Sequence, residues 1–255
     1  MNQLKDKNAI VTGASKGIGA ATARELARQG ANVLLVARSI DALDQIVNEI
    51  VEDGGRAESA KCDVSRYTEV SKAVEQCVDS FGSVDILVNN AGVIDPICRL
   101  ADSDPEQWDR VVDINYKGVY HGLRATIPHM VSQGGGVIVN ISSGAATGAL
   151  EGWSHYCSTK AAVLSLTRCA DKEYRELGVR VVGLSPGTVA TDMQVAIKSS
   201  GINPISQLDP SVHISAEWAA RAVAWLCTKE AADLAGTDFS LKTEEERRRA
   251  GLVHP

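Results

Sequence analysis

The chain has 255 residues, of which 44% are apolar and 23% charged, and its formal net charge is −6. This length buries a sizeable core in one large or two small domains. The acidic balance, without a basic stripe, excludes nucleic acid as an expected partner.

Targeting and cysteine signals predict a cytoplasmic protein. No apolar run approaches the ~20 residues of a membrane helix, so no membrane association is expected. The polar start from Met1 to Lys7 lacks the apolar core of a signal peptide. The cysteines are scattered, with neither C-x-x-C nor metal-ligand spacing, so no metal site is predicted and a reducing compartment fits them. They stand at positions 62, 77, 98, 157, 169 and 227.

The first 30 residues predict a strand, a glycine-rich turn and a helix, in that order. An apolar strand over Asn8–Thr12 precedes glycines spaced G-x-x-x-G-x-G, and strong helix formers follow from 20 to 29. Glycines let the backbone approach a pyrophosphate, whose charge lies at the helix N-terminus. With these flanks, a dinucleotide site is favoured over a simple tight turn. The candidate cofactor residues are Gly13, Ser15, Lys16, Gly17, Ile18 and Gly19.

The end of the second predicted strand, Asn32–Ala37, distinguishes the two nicotinamide cofactors. NAD-binding versions place an acidic residue there for the ribose hydroxyls. Here Arg38 follows Ala37, and no carboxylate occurs before Asp41. Arg38 and Lys16 can pair with a 2′-phosphate. NADP(H) is therefore favoured over NAD(H), unless both cations are only solvated surface groups.

The next elements add polar groups at strand ends. A helix over 40–51 and a strand over 56–62 lead to Asp63 and Val64, where Asp63 is a candidate for the adenine edge. Ser65 is predicted to cap the following helix, which carries apolar positions to Phe81. A fourth strand over 86–88 opens onto Asn89, Asn90, Ala91 and Gly92, which suit packing beside a nucleotide or form only a turn.

A long helical tract is predicted from Asp104 and Pro105, an N-cap and first-turn proline, to about Ser132. Asn115 stands among apolar residues of that tract. An interior asparagine is a poor helix former whose amide needs partners. Asn115 therefore predicts a kink in the helix, with the amide hydrogen-bonded to water, and the kink can itself serve the function.

A buried strand over 137–143 places Ser143 at its carboxyl end, where open α/β sheets bind ligands. A loop over 144–155 then leads to a helix that Tyr156 opens. Lys160 stands one turn after Tyr156, on the same face. The ammonium is expected to lower the pKa of the phenol and so make an acid/base pair. The alternative is an ordinary helical pair, against which the glycine-rich turn argues.

The rest of the chain completes the alternation of strands and helices. A sixth strand over 180–184 precedes Pro186, Gly187, Val189 and Thr191. The segment 192–213 is predicted to be irregular and to form a lid. A helix from Ser215, a last strand over 238–241 and a solvated helical tail over 243–255 follow. These elements predict one domain over 1–255, of α/β class, with a doubly wound parallel sheet and helices on both faces.

Six sequence elements together resemble the short-chain dehydrogenase/reductase family over roughly residues 5 to 240. The resemblance implies a Rossmann-type fold, a nicotinamide cofactor, a homodimer or homotetramer, and reversible conversion of a small-molecule carbonyl and its alcohol. The matching elements are Thr12-Gly13-x-x-x-Gly17-x-Gly19, Asn89-Asn90-Ala91-Gly92, Asn115, Ser143, Tyr156-x-x-x-Lys160, and Pro186-Gly187 with Thr191.

The same resemblance implies roles for individual residues. Tyr156 would be the general acid in carbonyl reduction and the base in alcohol oxidation, and Ser143 would hold the substrate oxygen. Lys160 would bind the nicotinamide ribose and lower the pKa of Tyr156. Asn115 would hold a water of a proton relay, and Thr191 would bind the carboxamide. The remaining cofactor contacts would come from Asn90, Ala91, Gly92, Tyr156, Pro186, Gly187 and Val189.

The substrate is expected to contact Ser143, Trp153, His155 and Met193, in a mainly apolar pocket. For His155, a loop hydrogen bond is the alternative. One departure from the family is clear: Gly236 to Lys242 replaces the usual V-D-G-G segment and leaves subunit contacts at that edge open. An NAD-dependent alcohol or polyol dehydrogenase, a non-catalytic NADP(H)-sensing module and a nucleotide-sugar epimerase or dehydratase stay as alternatives.

Overall fold

A computed structural model describes residues 3–252, which form a seven-stranded parallel sheet with the order β3-β2-β1-β4-β5-β6-β7. This confirms the fold predicted from the sequence, which is a Rossmann-type α/β fold with a doubly wound parallel sheet. The strands are β1 Asn8–Thr12, β2 Asn32–Ala37, β3 Arg56–Lys61, β4 Ile86–Asn89, β5 Gly136–Ile141, β6 Val179–Ser185 and β7 Asp238–Ser240.

The central strands are apolar along their whole length because helices cover both faces of the sheet. β1 is fully buried, and Ile10 pairs with Leu34 on one side and with Leu87 on the other. The chain reverses its direction across the sheet between β1 and β4, which creates a crevice at the carboxyl ends of these strands. In such sheets this crevice is where ligands bind.

Two layers of helices cover the sheet. One face carries α1, α2 and α8, whose buried residues include Leu26, Leu43 and Leu226. The other carries α3, α5 and α6, with Val74, Leu123 and Val163. The helices are α1 Gly17–Arg28, α2 Ile40–Glu52, α3 Tyr67–Phe81, α4 Pro105–Val112, α5 Gly118–Ser132, α6 Ser154–Tyr174, α7 Asp192–Ser200, α8 Ala216–Leu226 and α9 Glu244–Arg249.

Helix starts agree with the predictions at Asp104, Ser215 and Thr243 and disagree at Ser65. Asp104, Ser215 and Thr243 each accept a hydrogen bond from the first turn that follows. Ser65 does not cap α3, because the helix begins two residues later, at Tyr67, and Arg66 occupies the N-cap position. The prediction of Ser65 as N-cap is therefore wrong: the Ser65 N–H and hydroxyl both donate to Asp63 Oδ1 and form a local turn before the helix.

The segment 192–213 is not irregular, contrary to the prediction. It contains α7 and two short 3₁₀ turns, Pro204–Gln207 and Pro210–Val212. Asn203 joins it to the 144–153 loop, since its Nδ2 donates to Glu151 O over 2.9 Å. Burial of Ile197 against that loop stabilises a helix whose sequence is only weakly periodic.

The C-terminal tail forms the short helix α9, as predicted, and Arg248 pairs with Glu244 one turn earlier. The predicted tail extends to 255, and its last three residues, like the first two of the chain, lie outside the described residues. Within residues 3–252, no helix has both the length and the apolar character needed to cross a membrane.

Candidate active site

Apart from Tyr156 and Lys160 on α6, the predicted cofactor residues follow the carboxyl ends of strands, so the fold places them along one edge of the sheet. That edge includes the crevice between β1 and β4. The groups are Gly13, Ser15, Lys16, Gly17, Ile18 and Gly19 after β1; Arg38 after β2; Asp63 and Val64 after β3; Asn90, Ala91 and Gly92 after β4; and Pro186, Gly187, Val189 and Thr191 after β6.

The glycine-rich turn needs its glycines for two separate reasons. Gly13 and Gly17 adopt left-handed backbone conformations, with φ of +64° and +57°, which side chains disfavour. Gly19 is needed for space, because an added Cβ would lie 2.3 Å from Gly13 O and 2.5 Å from Asn90 Nδ2. The turn is therefore as close to the β4 loop as its backbone permits.

Asn90 fixes this turn against β1. Its Nδ2 donates to Thr12 O over 2.9 Å and to Gly13 O over 3.1 Å. The Thr12 hydroxyl in turn accepts the backbone N–H groups of Asn90 and Ala91. Asn90 thus rigidifies the cofactor turn through hydrogen bonds within the protein.

The first turn of α1 fits a dinucleotide pyrophosphate. No side chain caps this 12-residue helix, and its first turn has no acidic residue. Its leading N–H groups and its positive dipole end therefore favour an anion. Side chains at Gly13 or Gly19 would collide with the β4 loop or with the turn itself, so glycines at both positions let the turn keep this backbone path. The residues present fit the cofactor that the family implies.

Arg38 and Asp63 lie close together beyond β2 and β3. Partial burial acts to raise the pKa of Asp63, but hydrogen bonds from Ser65 and the charges of Arg38 and Arg66 hold that pKa below its usual value. Arg38 is exposed, and no described residue forms a salt bridge or hydrogen bond with its guanidinium. It is free to bind an anion near the expected adenosine position.

Lys16 is engaged differently from the prediction. Its Nζ lies 2.7 Å from Asp192 Oδ2, and both side chains are exposed. The residues next to this ion pair are also close to each other, because a Cβ added to Gly17 would lie 3.3 Å from Thr191 Cγ2. The glycine-rich turn therefore meets the start of α7, the helix of the predicted lid.

Tyr156 and Lys160 lie together in the first turns of α6, which begins at Ser154 and not at Tyr156. Both are buried, at 7% and 5% exposure. Lys160 Nζ lies 5.6 Å from the Tyr156 ring centroid and donates to Ile141 O over 2.6 Å. Ser143, two residues after Ile141, lies close enough for its side chain to lower the pKa of the Tyr156 phenol. The structure therefore brings Ser143, Tyr156 and Lys160 together.

The expected lowering of the Tyr156 pKa by Lys160 is not found. Burial raises the pKa of Tyr156 to about 12, and the Ser143 hydrogen bond opposes this rise only in part. Burial also lowers the pKa of Lys160 to about 8. Removal of both groups from water penalises both charged forms. Tyr156 is therefore a phenol at neutral pH, the form that a general acid requires.

Asn115 lies in a π-helical turn, Asp113–Lys117, between α4 and α5. Its Oδ1 accepts from Val93 N and its Nδ2 donates to Val93 O, both over 2.8 Å. The amide is therefore satisfied by the loop after β4, without the water that the kink interpretation required. The same side chain lies 3.5 Å from Thr159 Oγ1 on α6, which ties the three segments together.

An apolar cluster adjoins Tyr156 on the side of α7. The Trp153 ring packs edge-on against the Tyr156 ring with centroids 5.7 Å apart. Among the described residues, the buried Trp153 Nε1 has no hydrogen-bond partner. Met193, predicted to contact the substrate, packs against this cluster. Its members are Ile94, Ala145, Trp153, Tyr156 and Ile197, with Ile97, Leu150, Cys157, Met193 and Ile205 partly buried around them.

His155 does not face the pocket. It is completely buried, and its Nε2 lies 2.6 Å from Ile94 O. A small molecule cannot contact a side chain with no accessible surface. The alternative role, a loop hydrogen bond, is the one that the structure gives to His155.

Two charged residues near the site were missed in the sequence, Asp192 and Asp238. Asp192 pairs with Lys16. Asp238, on the edge strand β7, accepts a hydrogen bond from Ser142 beside the catalytic candidates. The departure from V-D-G-G around residue 238 drew attention to the segment that contains Asp238, but it raised only the question of subunit contacts. Nothing in the local sequence linked residues 16 and 192.

Comparison with known proteins gives consistent matches. The family model for short chain dehydrogenase matches residues 7–201. A cyclohexanol dehydrogenase of Acinetobacter sp. is 31% identical, with 93% of this chain and 94% of that protein covered. A short-chain type dehydrogenase/reductase of Mycobacterium marinum has a TM-score of 0.87 at 30% identity, over 100% of this chain and 98% of that one. Levodione reductase also has a TM-score of 0.87, at 28% identity over 95% and 98%.

These matches include a family model that covers most of the chain and a relative above 30% identity over nearly its whole length. They agree with the parallel sheet, the glycine-rich turn and the crevice described above. The chain is an enzyme, an oxidoreductase, and it belongs to the short-chain dehydrogenase/reductase family.

Proposed function

We propose that the chain interconverts a ketone, diketone or aldehyde and its alcohol with NADP(H), and that Tyr156 exchanges the proton. The observation that carries this proposal is the convergence of Tyr156, Lys160 and Ser143 beside the crevice between β1 and β4. When bound, the nicotinamide supplies or accepts the hydride. The protein residues supply orientation, a proton and electrostatic stabilisation.

In the direction of reduction, the Tyr156 hydroxyl donates its proton to the carbonyl oxygen. The Ser143 hydroxyl donates a hydrogen bond to the same oxygen, where negative charge grows in the transition state. Lys160, protonated below about pH 8, stabilises the phenolate that remains. Asn115 holds the loop after β4 against α6 through its contacts with Val93 and Thr159. It is also proposed to hold a water that returns a proton to the site.

The cofactor is proposed to lie across the glycine-rich turn, with its pyrophosphate at the N-terminus of α1. Arg38 would bind the 2′-phosphate, and Asp63 and Val64 would lie beside the adenine. Pro186, Gly187, Val189 and Thr191 would flank the nicotinamide. NADP(H) is favoured by the free, exposed guanidinium of Arg38, whereas NAD(H) stays as the alternative for an alcohol or polyol dehydrogenase.

The substrate is proposed to be a mainly apolar carbonyl compound, with a cyclic ketone as the first choice. The apolar cluster around Trp153 and Met193 supports this class. The relative named cyclohexanol dehydrogenase and the neighbour named levodione reductase support it too.

The direct test mixes the purified chain with NADPH and a panel of cyclic ketones, diketones, aldehydes, sugars and polyols. Oxidation of NADPH by at least one apolar ketone is expected, and NADH is expected to serve less well. Tight NADPH binding without turnover across the whole panel would favour the sensing module. Activity confined to polyols with NAD⁺ would favour the polyol dehydrogenase.

The Lys16–Asp192 pair gives a second test of the cofactor assignment. Asp192→Asn removes a carboxylate that occupies Lys16 and repels phosphate. We expect the Kd for NADPH to fall about two- to fivefold, as an exposed charge pair allows. NADH, which lacks the 2′-phosphate, serves as the matched control ligand. A change of equal size for both cofactors would show that Lys16 does not contact the phosphate.

We also propose a cytoplasmic homo-oligomer, either a dimer or a tetramer. The six cysteines are all free in the structure, which suits a reducing compartment. β7 is an edge strand with an exposed side, and unpaired edges are commonly covered by another chain.

A further inference from the structure

Asp238 is a charged residue at the site to which the proposed mechanism gives no role. It lies at the start of β7, opposite Gly183 of β6. Its Oδ2 accepts from Ser142 Oγ over 3.0 Å. Its Oδ1 is buried, and no residue within 3–252 donates a hydrogen bond to it. A Cβ added to Gly183 would lie 2.6 Å from that oxygen, so only glycine leaves room for the carboxylate here.

The dipeptide Ile141–Ser142 connects this carboxylate to Lys160. Ile141 O accepts from Lys160 Nζ over 2.6 Å, and the next residue donates its hydroxyl to Asp238. The two opposite charges are therefore held at neighbouring peptide units, at the end of β5. A carboxylate with an unpaired, buried oxygen is costly to the fold, and its negative charge acts strongly on buried groups nearby.

The charges influence each other in the expected directions. Burial lowers the pKa of Lys160 to about 8, and the Asp238 carboxylate opposes that change. Burial raises the pKa of Asp238, which the Ser142 hydrogen bond and the charges of Lys160 and Arg168 oppose. A buried amine without a nearby negative charge would lose its proton more readily.

Two further cations lie near this carboxylate: Arg168 of α6, whose charge acts on Asp238, and Lys242 after β7, which lines the same cavity. Together with Asp238 and Ser143 they line a cavity of about 370 Å³. Both are exposed, so solvent screens their charges far more than that of the buried Lys160. Asp238 is thus positioned to act mainly on Lys160.

We propose that Asp238 is a positioning residue for Lys160. The Asp238 carboxylate keeps the buried Lys160 amine protonated and oriented toward the end of β5. The effect on the free protein follows from geometry and charge alone. Its effect on turnover rests on the proposed function, in which protonated Lys160 stabilises the Tyr156 phenolate.

The test follows the ionisation of Lys160 by NMR in the free, full-length protein with ¹³C-labelled lysine. The Lys160 Cε signal is identified by its absence in Lys160→Arg. In Asp238→Asn, the titration midpoint of this signal is expected at a pH lower than in the wild type by about half a unit or more. Ser142→Ala keeps the carboxylate, and a much smaller shift is expected. Asp233→Asn removes an exposed carboxylate that is paired with Arg249, and no shift is expected.

Equal midpoints in the wild type and a folded Asp238→Asn variant would overturn the proposal. Thermal melting checks folding, and Asp238→Thr, a strand-compatible and uncharged replacement, carries the same expectation if the asparagine variant does not fold. In turnover with NADPH, the alkaline loss of kcat should begin at lower pH by the same shift, while kcat near pH 6 changes little. If no carbonyl compound is reduced, the proposed function fails and the NMR comparison still decides the role of Asp238.

Discussion

Tyr156→Phe is expected to lower kcat for carbonyl reduction by about 10³-fold, the range that a positioned general acid contributes. The phenol is buried beside Lys160, and its pKa of about 12 keeps the proton in place at neutral pH. Phenylalanine preserves the ring and its edge-on contact with Trp153. The variant therefore loses the proton donor without leaving a cavity. The measurement is the rate of NADPH oxidation with the best substrate of the panel.

NADPH binding, followed by cofactor fluorescence, should change no more than about fivefold in Tyr156→Phe, since a lost hydrogen bond contributes about 1 kcal/mol or less. Tyr67→Phe provides the matched control, because it removes one hydroxyl from a partly exposed tyrosine of α3. A Tyr156→Phe variant as fast as the wild type would rule out Tyr156 as the acid. A loss of cofactor binding by orders of magnitude would mean that Tyr156 acts in binding and not in proton transfer.

Arg38→Asp is expected to reduce the preference for NADPH over NADH by about 100-fold. Charge-assisted hydrogen bonds contribute about 1.5–3 kcal/mol, and each 1.4 kcal/mol is a factor of ten in Kd. The substitution removes such a bond to the 2′-phosphate and places a like charge in its position. A carboxylate at the end of β2 can also bind the ribose hydroxyls of NADH. The measurement is the ratio of kcat/KM for the two cofactors with one substrate.

The control for this substitution is Arg110→Asp on α4, which changes the net charge equally at another exposed arginine. It separates the local effect of residue 38 from a general electrostatic effect on an anionic cofactor. An unchanged ratio in Arg38→Asp would refute the assignment of the 2′-phosphate site. An equal fall in both variants would show that only the overall charge matters.

The strands and most helices could be predicted because their signals are local. Runs such as Val33 to Val36 are apolar throughout, as strands covered on both faces must be. Capping residues such as Asp104 and Ser215 marked helix starts for the same reason. The prediction at Ser65 is wrong because the Ser65 N–H and hydroxyl form a local turn with Asp63, and the helix begins only after Arg66.

The helix α7 could not be predicted from its own residues. Its sequence alternates polar and apolar residues irregularly, and its stability comes from Ile197 packing into the cluster around Trp153. Lys16 was expected to be free, but a residue 176 positions later in the chain pairs with it. Contacts of this kind depend on how loops far apart in the chain meet, and no local pattern encodes them.

The sequence by itself determined the order of strands and helices, the glycine-rich turn and the identity of Ser143, Tyr156 and Lys160, because these depend on local spacing and residue type. Only the tertiary structure decided how charged those groups are. Burial on all sides raises the pKa of Tyr156 and lowers that of Lys160, and a carboxylate from the last strand comes close to the lysine. Solvation and long-range charge follow from the packing of distant segments, which spacing along the chain does not record.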